Sequence, residues 1–562
     1  MSIDDAKVMR VRRSGVSGRV KAFDELPALR VRGQTLRWSL RRVTIAWMFG
    51  VVWMSLLSGS QLTTFARLIG FKDFHFGLMA AIPFCATFAQ LVAAIFIERT
   101  GQRKRTFIRS ASACRLLWLL VPVLPFAFGA GTVTVAIFLS LYAVYALLAH
   151  FSNPAWQNWM GDLIPRRIRG RYFANRRLWT NPIQVAIVIA AGLLLDRYTV
   201  ELPKDTPVTL ANQPGLMLAI CVLFLVGAVF GTIDILLFRK MREIVSPGLT
   251  APVPAKAGSA LSAAVRAVSE PFHLLRDAFG DRVFRHYALY GATIAFALSV
   301  SAQYFWLNAL ENLGYSKLAA NVVFMVCGAL SAMVVAKLWG KLIDRWGRRP
   351  VLILGTIGTT LGPAGWFLAT RGSVDLGVLY HWTGWFADTS AALPISYLTG
   401  AATCIWGGAM WGGVVLAQTG VILGFSDSEG RSKHIAAASV VVAVGGAAGG
   451  LAGGGIAEAL QFLKDAPLRV GPFEWINYHA TFAVSALARA AAVLWLIGMP
   501  DPGSKPFRHI VREFGFNAYN NLATRLFWPI RAWRRRHRNG RAKSLRAPLQ
   551  IVAKWIRRRR AA

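Results

Sequence analysis

Two short stretches place an acid, an arginine and a glycine at the same spacing. One reads Glu98-Arg99-Thr100-Gly101-Gln102-Arg103-Lys104, and the other reads Gly340-Lys341-Leu342-Ile343-Asp344-Arg345-Trp346-Gly347-Arg348-Arg349-Pro350. The chemistry open to such a set is ionic. A carboxylate at a helix end can lie against the positive N-terminus of a neighbouring helix and pair with arginines, while glycine permits a reversal that other residues would strain. A loop that only fixes topology would explain the arginines but not the acid and the glycine. A looser pair, Pro165-Arg166-Arg167-Ile168-Arg169-Gly170-Arg171 and Ser426-Asp427-Ser428-Glu429-Gly430-Arg431, sets a Gly-Arg step before the next helix.

Bond-making chemistry finds little support. No Ser/His/Asp grouping, His/Cys cluster or pair of carboxylates within an apolar run stands out, so no enzyme activity, metal site or cofactor is expected. Cys85, Cys114, Cys221, Cys327 and Cys404 fall in different apolar runs without redox or metal spacing, and read as small core residues. His150 is the one histidine deep in such a run. Its type suits a proton carrier, and a buried, hydrogen-bonded histidine is the competing reading. The remaining ionisable groups in or near apolar runs are Arg67, Arg115, Asp234, Glu458 and Arg489. Gly445, Gly446, Gly449, Gly450, Gly453, Gly454 and Gly455 follow no strand, which removes a dinucleotide site and leaves close helix packing.

The elements that must carry these residues follow from composition. With 55% hydrophobic and 16% charged residues over 562 positions, and a mean hydropathy of +0.44, the chain holds more apolar surface than a soluble protein could bury. Its apolar runs reach the roughly 20 residues that cover a hydrocarbon layer, where only helices satisfy the backbone. In the first half they lie at 43–67, 74–97, 106–127, 133–157, 178–196 and 214–238; in the second at 284–308, 318–343, 350–369, 397–424, 433–460 and 478–499. The expected organisation is a basic N-terminal tail over 1–42, a six-helix half over 43–238, a linker over 239–283 with a weakly amphipathic Pro271–Phe284, a second six-helix half over 284–499, and a basic amphipathic tail over 500–562. An outer loop over 371–396, with Trp382, Trp385 and Phe386, is expected to lie partly on the membrane surface.

The formal charge of +38 sits between the runs and at both ends, where it marks the cytoplasmic side and attracts anionic lipid; no nucleic-acid partner is expected. Every second loop is basic, so both termini are expected in the cytoplasm. The first 42 residues are basic and polar, so no cleavable leader is expected and the first span acts as the insertion signal.

Each acid-Arg-x-Gly turn falls between the second and third helix of a half, which implies an internal duplication. At these residues the chain resembles the major facilitator superfamily, whose hallmark there is a Gly-x-Leu-Ala-Asp-Arg-x-Gly-Arg-Arg type turn. Gly340 to Arg349 matches closely, whereas the first copy has Ala94, Glu98 and Gln102 at the leading Gly, the Asp and the first of the paired basic positions. The resemblance implies an all-α polytopic fold of twelve transmembrane helices. It also implies that Asp344 faces the start of the fifth span near Arg171 and Arg176, and Glu98 the start of the eleventh near Arg431 to His434. Those contacts would latch the cytoplasmic side and break as the halves rock in alternating access.

The family further implies that the first, fourth, seventh and tenth spans line a central cavity. Their polar residues are Met54, Ser58 and Gln61 on one helical face; Tyr142, Tyr145, His150 and Asn153 before Pro154, whose ring should kink the helix; Ser299, Gln303 and Trp306 with Tyr304 and Asn308 beside them; and Trp406, Met410, Trp411 and Gln418. Each has solute contact and helix-to-helix hydrogen bonding as alternative roles. Unlike the superfamily's drug/proton antiporters, the chain has no Arg within 133–157, and Asn181-Pro182 opens its fifth span in place of a late Gly-Pro. The expected function is secondary transport of a small solute across the inner membrane, driven by a proton or ion gradient or by the solute's own gradient. A non-transporting scaffold or sensor on the same fold is the alternative.

Overall fold

The computed structural model describes residues 33–201, 208–241, 279–375, 392–424, 431–501 and 504–505. The N-terminal tail to residue 32, Pro271 to Ala278 of the linker, Trp382, Trp385 and Phe386, the residues from Ser426 to Gly430 and the tail beyond 505 lie outside the described residues.

Among the described residues eleven helices are long and apolar enough to cross a membrane, and a further crossing is a pair, Gln34–Leu56 and Ser60–Leu68, bent by 42°. Counting that pair as the first span, the others are Asp73–Ala94, Arg103–Phe128, Thr132–Gly161, Arg171–Tyr198, Pro214–Arg239, Arg282–Asn312, Lys317–Trp346, Arg348–Leu368, Ile395–Val421, Ala437–Ala459 and Asn477–Ile497. All twelve expected runs reappear in order, because an apolar stretch of bilayer length has no other way to pair its backbone. Large apolar side chains such as Val334, Leu178 and Leu487 stand exposed on the bundle surface, as lipid would require.

The irregularities have local causes. Gly59 adopts φ +80°, which ends one helix and starts the next, so the first span bends there. Pro83 lies in the second span just before its helix breaks between Ala86 and Phe88. Pro154, by contrast, sits inside an unbroken helix over Thr132–Leu163. The fifth helix begins at Arg166, so Gly170 and Arg171 lie within its first turns and not ahead of it; arginine is a good helix former and carries the helix past the apolar stretch. The seventh span ends in a π-helical turn, Asn308–Asn312, and the eighth contains another, Val322–Cys327. Such turns gather at working positions. Two small antiparallel ribbons, β1 (Ser373–Asp375) with β2 (Ala392–Pro394) and β3 (Leu468–Val470) with β4 (Phe473–Trp475), close the loops after the ninth and eleventh spans.

The eleventh helix packs on two sides through two rows of glycine. A Cβ at Gly450 would come within 2.7 Å of the Ala81 amide nitrogen, and one at Gly454 within 3.0 Å of the Phe74 carbonyl, both on the second span. Gly445, Gly449 and Gly453 instead meet Ala292, Phe296 and Val300 of the seventh span. Without side chains, the backbones touch directly.

The buried apolar core is unevenly shared between the halves. One cluster runs across both, from Phe65, Phe76 and Phe138 to Tyr304, Leu307, Tyr478 and Phe482. Toward the opposite end the core divides: Phe107, Trp159 and Phe238 belong to a cluster built only from the first half, and Trp339, Trp346 and Leu496 to one built only from the second.

Candidate functional site

At the end of the bundle where the core is continuous, charges bridge the halves. Arg67, in the last turn of the bent first span, donates from Nε to Glu311 Oε1 at 2.6 Å and from Nη2 to Asp73 Oδ1 at 2.9 Å. Lys464 Nζ lies 2.7 Å from Asp73 Oδ2, which also accepts from Asn477 Nδ2 at 2.8 Å. The Tyr478 hydroxyl sits 2.9 Å from Glu311 Oε2 and 3.2 Å from Asp73 Oδ1. Asp73 is only 3% exposed, and it is held by four partners because a buried carboxylate left alone would be costly. Beside this cluster Asn321 of the eighth span accepts from the Ser60 amide at 2.9 Å and donates to Gln61 Oε1 at 3.2 Å, while Asp196 of the fifth span caps the eighth helix at the Lys317 and Leu318 amides. Together these contacts form a latch across the halves.

The opposite end carries the acid-Arg-x-Gly corners. Gly101 and Gly347 turn them with φ +65° and +97°, the left-handed backbone that the sequence required of glycine there. Arg349 and Trp346 of the second corner bond to the end of their own half and the residues just after it: the Arg349 amide donates to Asp501 Oδ2 at 3.1 Å, Arg349 Nε to the Leu496 carbonyl at 2.9 Å, and the Lys505 amide to the Trp346 carbonyl at 2.9 Å. Near the first corner, Lys104 reaches the Met241 carbonyl at 2.6 Å, also within one half. Asp344 and Arg171 are exposed and form no ion pair with each other, and Arg176 stacks over Trp47, Trp156 and Phe173. The expected approach of Asp344 to the fifth span is thus not made in this conformation. The expected partners of Glu98 cannot be followed, since its side chain and those of Arg99 and of Arg431 to His434 lie outside the described residues.

Two of the cavities among the described residues carry buried charge, and a further one of about 500 Å³ in the second half, lined by Trp339, Trp406 and Met410 among others, is apolar. The first, about 480 Å³, is enclosed by the first half: Trp47, Trp53 and Met54 of the first span, Arg115 of the third, Tyr145, His150, Asn153 and Trp156 of the fourth, Arg176 of the fifth and Asp234 of the sixth. Arg115 Nη2 stands 3.6 Å from Asp234 Oδ2, and its guanidinium lies 3.4 Å over the Trp53 ring. Glycines make this possible, for a Cβ at Gly231 would come within 2.5 Å of Trp53 and one at Gly50 within 2.8 Å of Asp234. His150 Nδ1 meets Gln90 Nε2 at 2.8 Å. The second cavity, about 380 Å³, belongs to the second half and is lined by Phe305, Phe324, Trp366, Thr403, Trp411 and Arg489 among others. Arg489 donates to the Thr359 carbonyl at 2.9 Å.

The structure therefore sorts the residues that sequence had grouped together. Tyr145, His150 and Asn153 line the first cavity and Trp411 the second. Gln61 does not share a face with Met54 and Ser58, because the bend at Gly59 separates it from them; Ser58 donates to the Met54 carbonyl at 2.6 Å, and Gln61 is fully buried in the latch. Tyr142 stacks on Phe138 in the aromatic core. Trp306 packs on Phe324, and Asn308 is buried and bonded to Asn312 at 3.0 Å. Gln418 lies against the Tyr290 hydroxyl, and Gln303 borders neither cavity. Gly340 faces open space. Asp73 and Glu311 escaped the sequence reading because charge at the end of an apolar run reads as a span boundary, and Tyr478 because a tyrosine there reads as an interfacial anchor. Only the opposite signs of Arg67 and Glu311, at the ends of equivalent spans in the two halves, could have signalled them.

The sequence model of the Major Facilitator Superfamily matches residues 42–409. The chain belongs to the major facilitator superfamily. Solved structures of the superfamily share its fold. The xylose transporter XylE from E. coli, in an inward-open conformation, is 14% identical with a TM-score of 0.52, over 84% of this chain and 98% of that one. The nucleoside transporter NupG is 10% identical with a TM-score of 0.52, over 82% and 98%. The POT family transporter PepTSo is 13% identical with a TM-score of 0.51, over 83% and 98%. No curated protein matches the chain by sequence. Membership of the superfamily and this fold support a solute transporter and not an enzyme.

Proposed function

We propose that the chain moves a small solute across the cytoplasmic membrane by alternating access, with both termini and the two glycine corners on the cytoplasmic side. The observation that carries this reading is the unequal closure of the two ends. Ion pairs and a continuous core bridge the halves at one end, while at the other end Arg349 of the second corner bonds to Asp501 and Leu496 beside it and Asp344 stays exposed. A solute would then enter or leave through the corner end, between the two cavities. To expose it to the other face, the Arg67–Glu311 and Lys464–Asp73 pairs must part, and the second and eleventh helices must shift along their glycine contacts. The cost of parting buried charges is met only if new contacts form elsewhere, and the exposed Asp344 at the second corner is a described acid that could supply one. The energy source is an ion gradient or the solute's own gradient, and the basic tails rest on anionic lipid.

The test uses proteoliposomes holding the full chain with its five native cysteines replaced and cysteines introduced at Phe74 and Glu458, which touch across the halves at the latch. Loaded with a metabolite mixture and read by mass spectrometry, they should release or gain a defined solute under reducing conditions and stop when the pair is oxidised. No solute movement under any gradient, or movement indifferent to the disulfide, would overturn the reading.

A further inference from the structure

We propose that the first-half cavity takes the anionic group of a flat, largely apolar organic anion. This deepens the transport reading above and rests on it. The charges facing the cavity do not balance. Arg115 and Arg176 supply two guanidiniums, and Asp234 is the sole carboxylate among the lining residues. Asp234 is drawn to Arg115 at 3.6 Å, yet its Oδ1 accepts no hydrogen bond from a described residue, and no ion pair joins it to Arg176.

Arg176 is the more exposed to this shortage. Its Nε and Nη1 are buried and find no acceptor among the described residues, and Nε of Arg115 is in the same position. What surrounds Arg176 is aromatic: Trp47 at 4.8 Å, Phe173 at 5.0 Å and Trp156 at 5.8 Å from the guanidinium carbon. Ring faces give a guanidinium far less than a carboxylate does, so an anion entering the cavity gains a partner that the described residues leave open. A planar fork of donors also fits a carboxylate, sulfonate or phosphate oxygen pair better than a point charge would.

The walls set the rest of the ligand. Trp47, Trp53, Tyr145, Trp156 and Phe107 line a space of about 480 Å³, which is the size and character of a site for a flat ring system. A cationic solute is disfavoured because the arginines already occupy the ring faces of Trp47 and Trp53. The second-half cavity differs in having a single guanidinium, Arg489, whose Nη1 the Thr359 carbonyl engages and whose Nε also finds no acceptor among the described residues, and it has no carboxylate among its lining residues.

The experiment is calorimetric titration of the full chain in nanodiscs, with empty nanodiscs as blank, using three probes of one shape: naphthalene-2-carboxylate, naphthalen-2-ylmethanol and naphthalen-2-ylmethylammonium. The carboxylate is expected to bind at least tenfold more tightly than either of the others. Arg176→Gln should cost at least tenfold in its affinity, Arg176→Lys should cost less, and Asp234→Asn should not weaken it. Equal binding of the three probes, no saturable carboxylate binding, or an affinity unmoved by Arg176→Gln would overturn the proposal; circular dichroism of each variant separates misfolding from lost binding. Binding is read without transport. A bound carboxylate that never crosses a vesicle membrane would count against transport alone, whereas uptake of a neutral or cationic solute unaffected by Arg176→Gln would count against the anion site alone.

Discussion

The two ends of the bundle close by different means. At the latch, Arg67, Asp73, Glu311, Lys464 and Tyr478 come from both halves and shield one another from water. At the corner end, Gly101 and Gly347 shape turns whose Asp344 stays exposed, and the second corner is tied to Leu496 of its own half and to Asp501 just beyond it. A buried network is strong but falls as a unit when one member is lost, while an exposed acid is cheap to leave unpaired. The contrast suits a molecule that must hold one end shut while the other is free to move.

The sharpest way to break this comparison is Asp73→Ala, which would leave Arg67 and Lys464 facing each other with one fewer acid between them. Removing one partner of a buried pair costs about 3–5 kcal/mol. The expected result is a lower Tm and a longer distance between spin labels at Val200 and Val470, which stand exposed on the two halves at that end. An unchanged label distance would mean that the core alone holds the latch. Gly347→Ala should act next in size, since its φ of +97° and a Cβ 2.7 Å from Ser504 Cβ strain the corner by about 1–3 kcal/mol. Hydrogen exchange should quicken around Trp346 and Lys505 while the label distance stays as it was; a lengthened distance would show that the ends are rigidly coupled. Asp344→Ala should have the smallest effect, shifting stability by about 0.5 kcal/mol or less because nothing described pairs with it in this conformation. A large loss of Tm would mean that the exposed acid is already engaged, and the comparison would fail.

How much of this could be read from the chain depended on the range of the interaction. The spans and the two corners were legible because each is written in consecutive residues: apolar length in one case, an acid followed by Arg and Gly in the other. The bend at Gly59 was not, since the helical spacing of Met54, Ser58 and Gln61 continues through it as though the helix did. The latch was harder still. Arg67 meets Glu311 and Asp73 meets Lys464 only after the halves dock, and nothing near any one of them names its partner. Arg115, Asp234 and Arg489 were visible as ionisable groups in apolar runs, but the selection of four cavity-lining spans passed over them because they lie on the third, sixth and twelfth. Small residues decide that outcome: Gly50 and Gly231 let the charged side chains of outlying helices reach the interior.

The paired glycine rows of the eleventh helix carry one more consequence. Gly445, Gly449 and Gly453 serve one neighbour, and Gly446, Gly450 and Gly454 the next, so forbidden positions come as adjacent doublets every four residues. An ordinary buried stripe tolerates change on either flank; here substitution is blocked on two sides at once, and genetic drift in that helix is confined to the faces that remain.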